Sequence, residues 1–234
     1  MKVLAVGAHP DDLDMLCGGT LARYVREGAA VTMATVANGN RGSFEHTREE
    51  IAAIRYDEAA AAARVLGAEY RSLGVGDTEI NSADQAQLLL VTELVRSVAP
   101  DVVITHYGDD YMPDHNETSR LVEAATFFAT VPLYETESAP TQTVAPLFYM
   151  DTLGGVGFVP TEYVDITDVH EQKLSAVACH TSQVGWLQDH DGVDTLGNTR
   201  IGDLYRGNQC GVTAAEGFRQ SVHYLRLTTR RLLP

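Results

Sequence analysis

The amino-terminal half of this 234-residue chain alternates short apolar runs with helix-periodic segments, and that alternation most limits what it can fold into. Residues 3–6 form an unbroken apolar run, the pattern of a parallel strand covered on both faces. A helical stretch follows, with Gly18-Gly19 expected to open it and Gly28 to end it. Residues 31–36 read as a second strand, 49–66 as a long Ala-rich helix capped by Gly67, and 70–73 as a third strand. Residues 83–98 read as a helix closed by Pro100, and 102–104 as a fourth strand. The order β-α-β-α-β-α-β with helical crossovers predicts an α/β fold, a three-layer α/β/α sandwich around a mostly parallel sheet.

After residue 128 the pattern weakens. Strands are expected at 148–150 and 163–166, and a helix at 168–179 with Asp168 or Thr167 as N-cap. Residues 184–209 are polar and Gly-rich and read as a loop near the site or a mobile lid. The expectation is one domain over 1–234, with a core at 1–130 and a smaller irregular part at 131–234.

The net charge of -15 disfavours nucleic acid and anionic membrane as partners, because both select a basic surface. No apolar run approaches bilayer-spanning length. Cys17, Cys179 and Cys210 form no short pair, which excludes a thiolate zinc cage or a disulfide framework. With no charged-then-apolar leader, the odd cysteine count leads to the expectation of a cytoplasmic protein.

The chemistry concentrates in Ala8-His9-Pro10-Asp11-Asp12, directly after the first strand, where open α/β sheets place their ligands. His9 and Asp12 can face one metal, leaving Asp11 beside it for proton transfer. A hydrolytic zinc site commonly takes three N/O ligands and leaves a position open. The third is expected from another strand end, and His115, which follows the fourth strand, is the best placed. The local alternative is a capping turn, with Asp11 or Asp12 satisfying the first N–H groups of the next helix.

These residues, with Gly18-Gly19-Thr20, resemble the opening of the LmbE/PIG-L family of zinc-dependent N-acetylglucosaminyl deacetylases. Further matches are Asn40-Arg41-Gly42, Ile54-Arg55-Tyr56-Asp57-Glu58-Ala59, Leu66-Gly67-Ala68, Gly76-Asp77, Pro113-Asp114-His115, and Lys173 with His180-Thr181-Ser182-Gln183. The resemblance implies a Rossmann-like fold and a Zn2+ site at His9, Asp12 and His115, a ligand set that also suits Fe2+ or another divalent metal. It implies a zinc-activated water attacking an acetamide carbonyl, with Asp11 as general base and Asp114 holding a ligand histidine in its tautomer. Arg41, Arg55 and Asp77 match positions near the substrate, although each has a local alternative, an ion pair for the arginines and a turn for Asp77.

One departure matters. Many family members carry His where this chain has Met112, and a thioether has no proton to give to a leaving amine. The role is open to His180, His106, Tyr111 or Asp11; the favoured assignment is Asp11 shuttling the proton with His180 assisting. The expected partner is a small amino sugar or glycoconjugate, and a homo-oligomer is left open. Rivals are an amidase for a larger thiol-sugar or secondary-metabolite amide, a non-catalytic metal- or sugar-binding homologue, and a two-metal phosphoesterase. The last lacks a Gly-rich phosphate loop.

Overall fold

The structure is a computed structural model describing residues 1–234. Seven strands build one sheet: β1 (Lys2–Gly7), β2 (Ala30–Ala37), β3 (Glu69–Val75), β4 (Val102–Thr105), β5 (Leu147–Met150), β6 (Glu162–Asp165) and β7 (Ala215–Gln220). Their spatial order is β3-β2-β1-β4-β5-β7-β6. The first five are parallel, while β7 runs antiparallel to both β5 and β6. The order reverses between β1 and β4, so a crevice opens at their carboxyl ends.

Side-chain alternation along the central strands divides the interior in two. Val3 and Ala5 of β1 join Val102 and Ile104 of β4 in one core, beneath α1 (Asp12–Arg26), α2 (Arg48–Leu66) and α5 (His170–Val177). Leu4, Val6 and Val103 point the other way, into a core shared with α3 (Gln85–Val98) and α4 (Pro113–Phe128). The helix ends follow local chemistry: Thr47 and Glu50 form a reciprocal capping box at α2, and Gly67 ends it in the left-handed region.

Three expectations change. The first helix begins at Asp12, not at Gly18-Gly19, which lie inside it. There a Cβ on Gly19 would come within 2.7 Å of Ile166 Cγ2, so the glycine serves close packing rather than helix opening. The 168–179 helix divides into a 3-10 turn at Thr167–Val169 followed by α5. His170, which opens α5, is buried with its Nε2 3.1 Å from Asp203 Oδ2.

The largest change is at 184–209, which is not a loop but most of α6 (Thr181–Asp191) and α7 (Thr195–Cys210). Gly192 and Gly211 are left-handed C-caps, and the Asp194 side chain accepts from Gly197 N at the start of α7. Residues 131–234, expected irregular, thus extend the same sheet and cover one face. No helix is long and apolar enough to cross a membrane.

Candidate active site

Each donor of the site follows a strand. Asp11 occupies the N-cap position of α1 without a side-chain capping bond and Asp12 opens the helix, so the β1–α1 turn carries His9, Asp11 and Asp12 together. His115 lies in the first turn of α4, which Pro113 starts. One ligand atom from each of His9, Asp12 and His115 can be chosen so that all three lie within 4.8 Å of one another. All three residues are buried.

The carboxylate of Asp12 lies between the rings. Its Oδ2 accepts from His9 N at 2.6 Å and is 3.5 Å from His9 Nδ1, while its Oδ1 is 3.3 Å from His115 Nε2. The opposite ring nitrogens meet other carboxylates. Asp114 Oδ2 is 3.1 Å from His9 Nε2, and Asp110 Oδ1 is 3.3 Å from His115 Nδ1. Such outer contacts fix tautomer and ring orientation. Thr78 N also donates to Asp114 Oδ2 at 2.7 Å, from a β-branched residue held at φ 65°.

Electrostatics follow from this packing. Burial lowers the His9 pKa, but hydrogen bonding to Asp114 and then Asp12 outweighs it and raises the value to about 9. Burial likewise works against a charged His115, and Asp12 and Asp110 bring it up to about 10. Asp12 is raised by burial yet held well below the usual carboxylate range, chiefly by His115 and His106. The site therefore holds protons that a cation would replace. His115 Nε2 is buried without a hydrogen-bond partner, and two imidazoles with a carboxylate are a suitable donor set for a divalent metal. A second grouping, His106, Asp110 and His115, is less suited, because His106 Nε2 already accepts from Ala8 N at 2.9 Å.

Asp11 stands beside this group with its own partner. Arg55 Nη2 donates to Asp11 Oδ1 at 3.0 Å, and Arg55 Nη1 reaches Gly39 O at 3.3 Å and lies 3.8 Å from Asp77 Oδ2. Gly39 allows this, since a Cβ there would stand 2.6 Å from Arg55 Cδ. Asp77 accepts from Gly39 N and Arg41 N, which fastens the 39–41 loop. The Arg41 side chain leaves the cluster for the rim, where Nη2 meets Glu79 Oε1 at 2.7 Å.

His180 is buried at the N-cap of α6, not at a helix C-terminus. Its Nε2 is 2.9 Å from Asp14 Oδ2, one turn along α1 from Asp11. Burial lowers its pKa, but Asp14 and then Asp11 raise it above the ordinary histidine value. Of the other residues considered for the role Met112 leaves open, His106 is fully buried and stacked on His115 at 4.0 Å, whereas Tyr111 is 74% exposed with its ring edge toward His115. Met112 itself is the half-buried N-cap of α4.

Sequence reasoning missed Asp110 and Asp14. Their only signal is the partner histidine, five residues away for Asp110 and 166 residues away for Asp14. It also left Glu58 unexplained. That carboxylate accepts from Thr181 Oγ1, Ser182 N and Ser182 Oγ, capping α6 and docking the His180-Thr181-Ser182-Gln183 motif on α2.

Fold and site together define a class: a Rossmann-like α/β protein with a two-histidine, one-carboxylate group at its topological switch point. The chain belongs to the PIG-L family, described as GlcNAc-PI de-N-acetylase, whose pattern matches residues 4–126. It is 30% identical to the diacetylchitobiose deacetylase of Thermococcus kodakarensis over 93% of this chain and 82% of that protein. It is 28% identical to the 4-oxalmesaconate hydratase of Pseudomonas putida over 78% of this chain and 74% of that one. The structure of the conserved protein TT1542 from Thermus thermophilus superimposes with a TM-score of 0.82 at 31% identity, covering 98% of this chain and 99% of that one.

Proposed function

We propose that this protein is a metal-dependent amide hydrolase that removes the acetyl group from an N-acetylated amino sugar or glycoconjugate. The observation that carries the reading is the buried His9, Asp12 and His115 group with an arginine-held Asp11 beside it. The named activity of the Thermococcus relative supports it. His9, Asp12 and His115 would hold the metal, Zn2+ or another divalent ion. Bound there, it would supply Lewis-acid polarisation of the amide carbonyl and lower the pKa of a water.

The chain's own residues do the rest. Asp11 accepts the proton of the attacking water and returns it to the departing amine, so one carboxylate serves both steps. Arg55 keeps Asp11 aimed through the hydrogen bond from its Nη2. Asp114 and Asp110 hold the two imidazoles, and His180, paired with Asp14, lends charge behind Asp11. Tyr111 is the exposed donor beside His115 for the carbonyl oxygen. Arg41 and Asp77 shape the rim that meets sugar hydroxyls.

A second reading is water addition to an unsaturated carboxylate, the type of reaction named for the Pseudomonas relative. A cavity of about 310 Å³ lined by Asn40, Arg41, Ser43, His46, Arg48 and Ile51 is basic enough to favour such an anion. Incubation of the metal-loaded protein with a panel of N-acetylated amino sugars separates the two. Equimolar acetate and primary amine are expected. No amine from any member, with loss of conjugated absorbance from an unsaturated oxo-dicarboxylate, would overturn the deacetylase reading.

A further inference from the structure

Three aromatic rings at the rim have no part in either core. Phe44, in the loop between β2 and α2, is 69% exposed, and its ring centre lies 4.2 Å from that of Trp186 on α6. Trp186 stacks on His190, one turn further along α6, at 4.6 Å and 19°. Neither Phe44 nor Trp186 packs against either hydrophobic cluster of the sheet. Exposed aromatic area costs solvation free energy that a core placement would recover, so its retention points to a ligand.

The stack is tied to the acidic site through short contacts. Gln183 Nε2 of α6 donates to Gly42 O at 3.0 Å, and the same loop packs on Arg55, which holds Asp11. Exposed Asp189 and Asp191 flank the rings, and Asp191 Oδ1 meets His190 Nδ1 at 2.7 Å. An aromatic face bordered by carboxylate acceptors matches a pyranose, which presents an apolar C–H face and a periphery of hydroxyl donors.

We propose that Phe44, Trp186 and His190 form a stacking subsite for a second sugar ring, so that the preferred substrate is an N-acetylated disaccharide or longer glycan. This rests on the deacetylase reading and adds to it the substrate class.

Trp186 is the only tryptophan in the chain, which makes it a direct reporter. The test titrates the metal-loaded Asp11→Asn variant with N,N'-diacetylchitobiose and with N-acetylglucosamine while following tryptophan emission. In parallel, kcat/KM for both sugars is measured in wild type, Phe44→Ala, Trp186→Ala and Trp186→Phe. The disaccharide should give a saturable emission change at about tenfold lower concentration than the monosaccharide, the scale of one aromatic stacking contact. The disaccharide-to-monosaccharide ratio of kcat/KM should fall several-fold in Phe44→Ala and Trp186→Ala and be restored in Trp186→Phe. Emission that ignores a disaccharide the wild type deacetylates, with an unchanged ratio in the alanine variants, overturns the subsite and leaves the deacetylase reading intact. A saturable response without amine release from any sugar supports the subsite and removes the deacetylase.

Discussion

Arg55 Nη2 lies 3.0 Å from Asp11 Oδ1, and both side chains are almost wholly buried. A guanidinium placed this way is committed to the carboxylate rather than to solvent. Arg55→Lys keeps the charge but loses the fork that also grips Gly39 O. It should retain metal and lower kcat by about tenfold or more with a small change in KM, as loss of a transition-state interaction does. If Arg55 binds substrate instead, KM rises while kcat is kept; steady-state kinetics decides.

Asp11→Asn should keep its metal and lose roughly 100-fold or more in kcat, the usual scale for a general base. Metal analysis beside turnover is the check. Full activity in this variant would remove Asp11 from the chemistry.

Met112→His places an imidazole at the N-cap of α4, three residues before His115. Turnover should rise, by about tenfold if a dedicated acid gains on a shuttling carboxylate. Tyr111→Phe should lower it, and the double variant should recover part of that loss. Kinetics of the three variants on one N-acetylated sugar measures both effects.

The strand pattern made the central sheet and one edge of the site readable. β1 and β4 are covered on both faces, so their sequences hold continuous apolar runs, and His9, Asp12 and His115 follow such runs at one sheet edge. What the sequence hid were contacts between distant segments. Asp14 and His180 meet only because α5 packs on α1 and delivers His180 just past its end, and nothing local marks either as half of a pair. The 184–209 region misled for a different reason: among its glycines, Gly192 is a helix cap and Gly207 a packing contact, where a Cβ would stand 2.6 Å from Thr213 O. Composition alone does not distinguish such glycines from those of a loop.

Protonation of the metal-free site carries a definite sign. His9 and His115 have folded pKa values of about 9 and about 10, above the unfolded value of about 6.5. Their stabilising contribution is complete below the unfolded value and is lost as pH rises through the folded ones. The melting temperature of chelator-treated protein should therefore fall between about pH 7 and about pH 10, and less so once metal replaces the protons. Scanning calorimetry of both forms tests this; a metal-free protein that gains stability over that range would contradict it.

The central claim is that one metal held by His9, Asp12 and His115 supports amide hydrolysis. Chelator-treated protein titrated with Zn2+, with primary-amine release from an N-acetylated amino sugar as the readout, tests it most directly. Activity should be absent at the start, climb linearly and level off at about one equivalent per chain, and His115→Ala should neither retain the ion nor recover activity. Full turnover in the metal-free protein, or none at full occupancy, would contradict the claim.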